Sequence, residues 1–222
     1  MPAAEAPTAV FDIIGTCFSL EKPRRALIRL GAPEHPLELW FAQALRDSFG
    51  YSHAGGYAPL KDVLQAELER TTRQLGLNPS REELQGVLRT FAELDPRPDL
   101  AAAVRLLADH GWAVLALTMG AEESTRKLLE GAGLAGHFAG LISCDAISIT
   151  KPNSAVYQLG LERSGGETWM VAAHAWDIAG ASRAGLRTAF ISSVEGSYLS
   201  IYPKPDLIAG SLLEAARAMV GR

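Results

Sequence analysis

From residue 99 onward the chain alternates short apolar runs with amphipathic stretches, and no other feature restricts its fold as tightly. The runs are "WAVLAL", "AGLISC", "TWMVAA" and "RTAFIS", with "TAVFDI" near the N-terminus. Each is short, rich in Val, Ile, Leu and Phe, and apolar on successive rather than alternate residues, as a strand covered on both faces must be. Between the later runs, Asp99 to His110, Ala121 to Gly131, Asn153 to Arg163 and Trp176 to Gly185 carry apolar side chains at helical spacing. "DLAAAVRLLADHG" places Asp99 at a cap position and ends on a His-Gly stop. Strand, helix and strand repeated in this order require right-handed crossovers. The sequence therefore predicts an α/β fold, a Rossmann-like doubly wound parallel sheet.

Residues 18–98 interrupt that pattern with helical periodicity and no convincing strand. "LELWFAQALRDSFG", "LKDVLQAELERTTRQLG" and "SREELQGVLRTFAEL" each read as an amphipathic helix, the last with Ser80 and Glu83 spaced as a capping box. "DPRPD" suits a stiff return hinge, and "GYSHAGGY" a flexible lid turn. The expected organisation is a Rossmann-like core from 1–17 and 99–222 with an inserted helical cap subdomain at 18–98. After the last long run, a mobile loop, a short strand near "DLIA" and a closing helix complete the core.

Charge and cysteine usage exclude several classes. A formal net charge of -4, a pI of about 5.8 and the lack of any long Lys/Arg run leave no electrostatic reason to expect nucleic acid or an anionic membrane as partner. Cys17 and Cys144 lie far apart, without zinc-ligand spacing, so neither a metal site nor a disulfide framework is indicated. No export signal is evident at the start and no apolar run approaches the ~20 residues that span a bilayer. A reducing cytoplasm is the expected setting, and a small anion would have to be attracted locally.

Ligands of open parallel sheets sit beyond the carboxyl ends of the strands. There the runs deliver Asp12, Thr118, Lys151 and, from "VAAHAWD", His174 and Asp177. Singly, each has a structural explanation: Asp12 and Asp177 as caps, Thr118 as a helix-entry cap, Lys151 as a solvated loop lysine, His174 as a satisfied buried imidazole. Together they are more than a buried sheet needs.

These residues resemble the haloacid dehalogenase-like hydrolases, and within them the type II 2-haloacid dehalogenases. The motifs are "FDIIGT", "LTMG", "KPNSAVY" and "AWDIAGASRAGLRTAFI", with the insert where that family's first cap lies. The resemblance implies Asp12 as nucleophile, Thr118 as a hydroxyl holding the substrate anion, Lys151 as the cation neutralising both, and Asp177 as an acid facing the same pocket. Thr16, Trp40, Phe41, Met119, Tyr157 and Trp176 would surround the substrate. Tyr157 could equally pack its helix on the sheet, and Thr16 could simply close the turn. Related enzymes are often dimers, which leaves a homodimer open.

Departures from the family pattern refine the chemistry. Phosphatases of the superfamily carry a second Asp two positions after the nucleophile, to protonate an alkoxide leaving group; Ile14 stands there. They hold Mg²⁺ with an acid four residues before the position of Asp177, and that residue is Ala173. A halide leaves without a proton, so a lone Asp12 displacing halide from carbon, with no cofactor and no metal, fits better. Water must then split the resulting ester, and Asp177 is the family's candidate for activating it. His174 replaces the usual Asn and is a chemically apt neighbour. Phe41 stands where type II enzymes place the halide-receiving Arg, a loss of roughly 3 kcal/mol of transition-state stabilisation. Arg46, His53 or the indole of Trp40 are the candidate substitutes. The remaining alternatives are a phosphatase with a degraded Mg²⁺ site and a non-catalytic, carboxylate-binding or dimeric member.

Overall fold

A computed structural model describes residues 6–221; Met1 to Glu5, part of the lead in which no export signal is expected, and Arg222 lie outside the described residues. In chain order, β1 (Thr8–Asp12) leads to a two-residue strand, β2 (Phe18–Ser19), and then to four helices. These are α1 (Glu21–Arg29), α2 (Pro36–His53), α3 (Leu60–Gln74) and α4 (Arg81–Arg89), after which β3 (Asp95–Pro96) returns the chain to the sheet. The rest runs α5 (Leu100–Asp109), β4 (Ala113–Thr118), α6 (Glu122–Gly131), β5 (Gly140–Ser143), α7 (Ser154–Leu161) and β6 (Thr168–Ala172). It ends with α8 (Ala175–Arg183), β7 (Arg187–Ile191), α9 (Ser192–Glu195), β8 (Leu207–Ala209) and α10 (Leu212–Val220).

The main sheet has the order β5-β4-β1-β6-β7-β8, and every pairing in it is parallel. The chain builds β4 and β5 on one side of β1, then crosses to build the other three on the far side. Strand order thus reverses at β1, and Asp12 ends the strand at that switch point, where a crevice forms. β1 and β6 are buried along their whole lengths, which is why their sequences show no polar alternation. Side chains of β1 still alternate between faces: Ala9 and Phe11 join Val104 and Leu107 of α5, while Val10 joins Val156 of α7 and Ile178 of α8. That second cluster continues without a break into the insert through Leu27, Trp40, Leu64 and Leu68. Each fully buried Leu or Phe in it is worth about 1.5–3 kcal/mol of transfer free energy, so the insert and the sheet stabilise each other.

Several expectations are met. The five apolar runs are strands, the "DLIA" segment is β8, and Ser80 and Glu83 form a reciprocal capping box at α4. Others need correction. The 18–98 stretch does contain strand: Phe18–Ser19 pairs antiparallel with Asp95–Pro96, because the two connections must run side by side where the chain leaves and re-enters the sheet. Asp99 occupies the cap position of α5 but makes no cap bond there; its carboxylate accepts from the Leu213 amide and so caps α10 instead. The first half of "GYSHAGGY" is the last turn of α2 rather than loop. Among the described residues, no helix is long and apolar enough to cross a membrane.

Candidate active site

Asp12 emerges from β1 into a turn shaped by Gly15, whose φ of +88° is a left-handed conformation that favours glycine. The turn brings Thr16 back under the carboxylate. Its hydroxyl donates to Asp12 Oδ2 at 2.6 Å and accepts from the Ala173 amide at 2.9 Å. Thr16 thus closes the turn, tying it to the end of β6, and also orients the acid. On the other oxygen, Lys151 Nζ lies 2.8 Å from Asp12 Oδ1 and 2.9 Å from Asp177 Oδ2. Tyr157 donates to Asp177 Oδ1 at 2.6 Å. Asp177 therefore has both oxygens engaged, and it is fully buried, as are Lys151 and Tyr157.

The electrostatics follow from this packing. Burial alone would pull the Lys151 ammonium down, but the charges of Asp12 and Asp177 outweigh it and hold the group well above the usual lysine value. Lys151 is thus a fixed cation. Burial pushes the Asp177 carboxyl up, against the pull of Lys151. Burial and the neighbouring Asp177 charge push the Tyr157 hydroxyl well above its ordinary value, which keeps it a donor.

His174 and Asp177 both come from the junction of β6 with α8. The His174 ring stacks on Trp176, with centroids 5.6 Å apart and planes 10° from parallel, and Phe41 of α2 lies 6.4 Å away. Its Nδ1 is 3.1 Å from Glu195 Oε1, whereas its buried Nε2 has no hydrogen-bond partner among the described residues. A methyl group at Gly15 would sit 2.7 Å from that Nε2. Gly15→Ala is therefore expected to strain the turn by about 1–2 kcal/mol and to displace His174. A misplacement of about 1 Å costs about a hundredfold in turnover, checked by thermal melting and steady-state rates; an unchanged rate would show that this contact sets nothing.

Phe41, Leu45, His174 and Trp176 form a wall between two spaces. Behind it a nearly filled chamber of about 10 Å³ also touches Asp12, Ile14 and Met119. In front, a cleft of about 720 Å³ opens between the insert and the core, with Arg24, Arg46 and Arg97 on its sides. Elsewhere, Tyr57 donates to Asp145 and Ser52 Oγ accepts from the Thr150 amide, joining insert to core.

Not every expected residue reaches this site. Trp40 is buried inside the insert, its indole N–H donates to the Leu64 carbonyl at 2.9 Å, and its ring packs edge-on against Phe91. It is a packing residue of α2 and α3 and cannot receive a halide. Arg46 lines the outer cleft but is paired with Asp47 at 2.7 Å. Thr118 is buried at the end of β4, where its oxygen accepts from the Gly120 amide at 2.9 Å; it closes the turn before α6 and does not cap that helix, which has Ala121 at its N-cap and no side-chain cap bond. Two residues of the site have no sequence signal. Glu195 lies in the tail expected to be a mobile loop, and Arg97, from "DPRPD", donates to the carbonyls of Thr16 and Gly15 at 2.9 and 3.1 Å.

Comparison with known proteins finds relatives along most of the chain. The family model described as a haloacid dehalogenase-like hydrolase matches residues 7–185. An (S)-2-haloacid dehalogenase of Pseudomonas fluorescens is 26% identical over 217 residues, covering 96% of each chain. One from Xanthobacter autotrophicus is 29% identical over 208 residues, covering 91% of this chain and 80% of that one. The structure of an L-2-haloacid dehalogenase from Xanthobacter autotrophicus with chloropropionic acid covalently bound superposes with a TM-score of 0.86 at 25% identity, covering 97% of this chain and 99% of that one.

Proposed function

The chain belongs to the haloacid dehalogenase-like hydrolases, and on that premise we propose that it cleaves the carbon–halide bond of small 2-haloacids through an ester formed on Asp12, without a metal ion. The observation that carries this reading is the buried array in which Lys151 bridges Asp12 and Asp177 at 2.8 and 2.9 Å. A carboxylate attacks carbon well only if it is ionised, weakly hydrated and held at one angle. Lys151 supplies the charge, Thr16 the angle and the surrounding apolar wall the exclusion of water. The relatives carry the name (S)-2-haloacid dehalogenase, which supports a 2-haloacid as the substrate class.

In this reading a carboxylate oxygen of Asp12 attacks C2, the halide departs with the bonding pair, and an aspartyl ester remains. Thr118 still has its hydroxyl proton to donate to the substrate carboxylate, since its bond with Gly120 uses only an oxygen lone pair. Ile14 and Ala173 support the choice of leaving group: neither can protonate an alkoxide or ligate Mg²⁺. A chamber of about 10 Å³ has room for one water at most, so substrate entry requires Phe41 and its helix α2 to draw back from the core. Cys17 and Cys144, both buried and free, support a reducing, cytoplasmic setting.

The test is halide release from 2-chloropropionate and chloroacetate beside turnover of p-nitrophenyl phosphate, each with Mg²⁺ and with chelator. Halide release that ignores the chelator is expected, with no phosphate release. Magnesium-dependent phosphate release without halide release would overturn the proposal.

A further inference from the structure

The geometry points to His174 with Glu195, rather than Asp177, as the base that deprotonates the hydrolytic water. This inference rests on the aspartyl-ester reading above. Three observations carry it. First, Asp177 has no free approach: one oxygen is taken by Tyr157 and the other by Lys151, and the residue has no exposed surface. Second, His174 is only 9% exposed and its Nε2 is a buried polar atom without a partner among the described residues. An orphan of this kind costs about 1–3 kcal/mol, which a water held there would recover. The same residue lines the chamber that contains Asp12.

Third, Glu195 is locked in place. Its Oε1 meets His174 Nδ1 at 3.1 Å, while its Oε2 accepts from the Ala175 amide at 3.0 Å. A carboxylate at Nδ1 keeps the proton on that nitrogen and leaves the Nε2 lone pair free beside the Gly15 turn that follows Asp12. Stacking on Trp176 fixes the ring plane. Glu195 is a positioning residue acting through His174, which is the catalytic one.

In the hydrolytic step a water O–H bond breaks, its proton goes to Nε2, and its oxygen bonds to the Asp12 carbonyl carbon. The ester C–O bond then breaks, the electron pair stays with the product oxygen, and the imidazolium returns its proton to make the 2-hydroxy acid. Asp12 is left as a carboxylic acid that ionises to solvent, so one proton and one halide are released per turnover.

The base must be neutral to act, so turnover rises with pH through the titration of His174. Burial pulls the imidazole down, but the bond to Glu195 and the charges of Asp12, Glu195 and Asp177 raise it above the ordinary histidine value. Also facing the same cleft are Glu21 and Arg24 of α1, Glu38 and Arg46 of α2, and Arg97 beyond β3. Their charges are of both signs, and Arg24 and Glu38 pair with each other at 2.6 Å, which leaves Glu195 as the nearest lever on His174.

Single-turnover mixing with 2-chloropropionate, read by intact mass and by halide release, separates the two chemical steps. Glu195→Gln is expected to form the ester at the rate of the unaltered protein, to hydrolyse it about 10–100-fold more slowly, and to move the acidic limb of the pH profile to lower pH. His174→Gln is expected to accumulate the ester with hydrolysis slowed about 10²–10⁴-fold, its melting temperature confirming a folded chain. Ester hydrolysis at unaltered rate and with an unmoved limb in both variants would overturn the role of this pair while leaving the ester intact. Halide release without any adduct, even in His174→Gln, would instead overturn the ester reading, and the pair's role with it.

Discussion

Replacing Lys151 by Met is expected to destabilise the protein by about 3–5 kcal/mol, the range for removing one partner from a buried charge pair, and to abolish turnover. The methionine fits the volume, so the loss is electrostatic. Asp12 and Asp177 would remain as two neighbouring carboxyls with 7% and 0% of their side chains exposed and no cation between them. At about 2–4 °C per kcal/mol for a chain of this size, the melting temperature should fall by roughly 6–20 °C. The sign of the pH dependence is also fixed. Without Lys151 nothing offsets the burial that pushes the Asp177 carboxyl up, so the variant gains stability as pH falls and loses it as pH rises through that raised value. A melting temperature within a degree or two of the unaltered protein across that range would show that Lys151 does not hold the pair together.

The second large effect concerns the proposed nucleophile. Asp12→Asn should fold, because Asn keeps the shape and still offers an oxygen to Thr16 or Lys151, yet lose about 10⁴–10⁶ in turnover, as removal of a covalent nucleophile does elsewhere. Labelled water gives the matching positive result in the unaltered protein. One turnover in H₂¹⁸O should place the heavy oxygen in the Asp12 side chain, while the first 2-hydroxy acid released carries the old aspartyl oxygen. Label in the product alone after a single turnover would mean that water attacked the substrate directly.

How far the residues alone can be read depends on the range of the interaction. β1, β4, β6 and β7 are legible because burial on both faces leaves a run of apolar letters, and Asp12, Lys151 and Asp177 stand out as charges at or just beyond the ends of such runs. Partners set by tertiary approach are not. Glu195 lies 21 residues from His174 in a segment without periodicity, so nothing local marks it. Trp40 reads as available to a substrate, but the packing of α2 on α3 directs its indole to Leu64, 24 residues away. Asp99 sits where a cap belongs and serves a helix whose Leu213 is 114 residues further on. The strands β2 and β3 are two residues each, too short to leave any alternation at all.

That small ribbon also sets how the molecule can be rebuilt. Ser19 and Asp95 are register partners, so the chain departs for its detour and comes home at points about 5 Å apart, the spacing of neighbouring strands. Everything between them is a cassette, exchangeable for another of different length without rethreading the six-stranded scaffold. A transplanted segment need satisfy one demand, an oily underside to meet Ile14, Met119 and Trp176; Arg97, just past the exit, stays with the scaffold and keeps its grip on the carbonyls of Gly15 and Thr16.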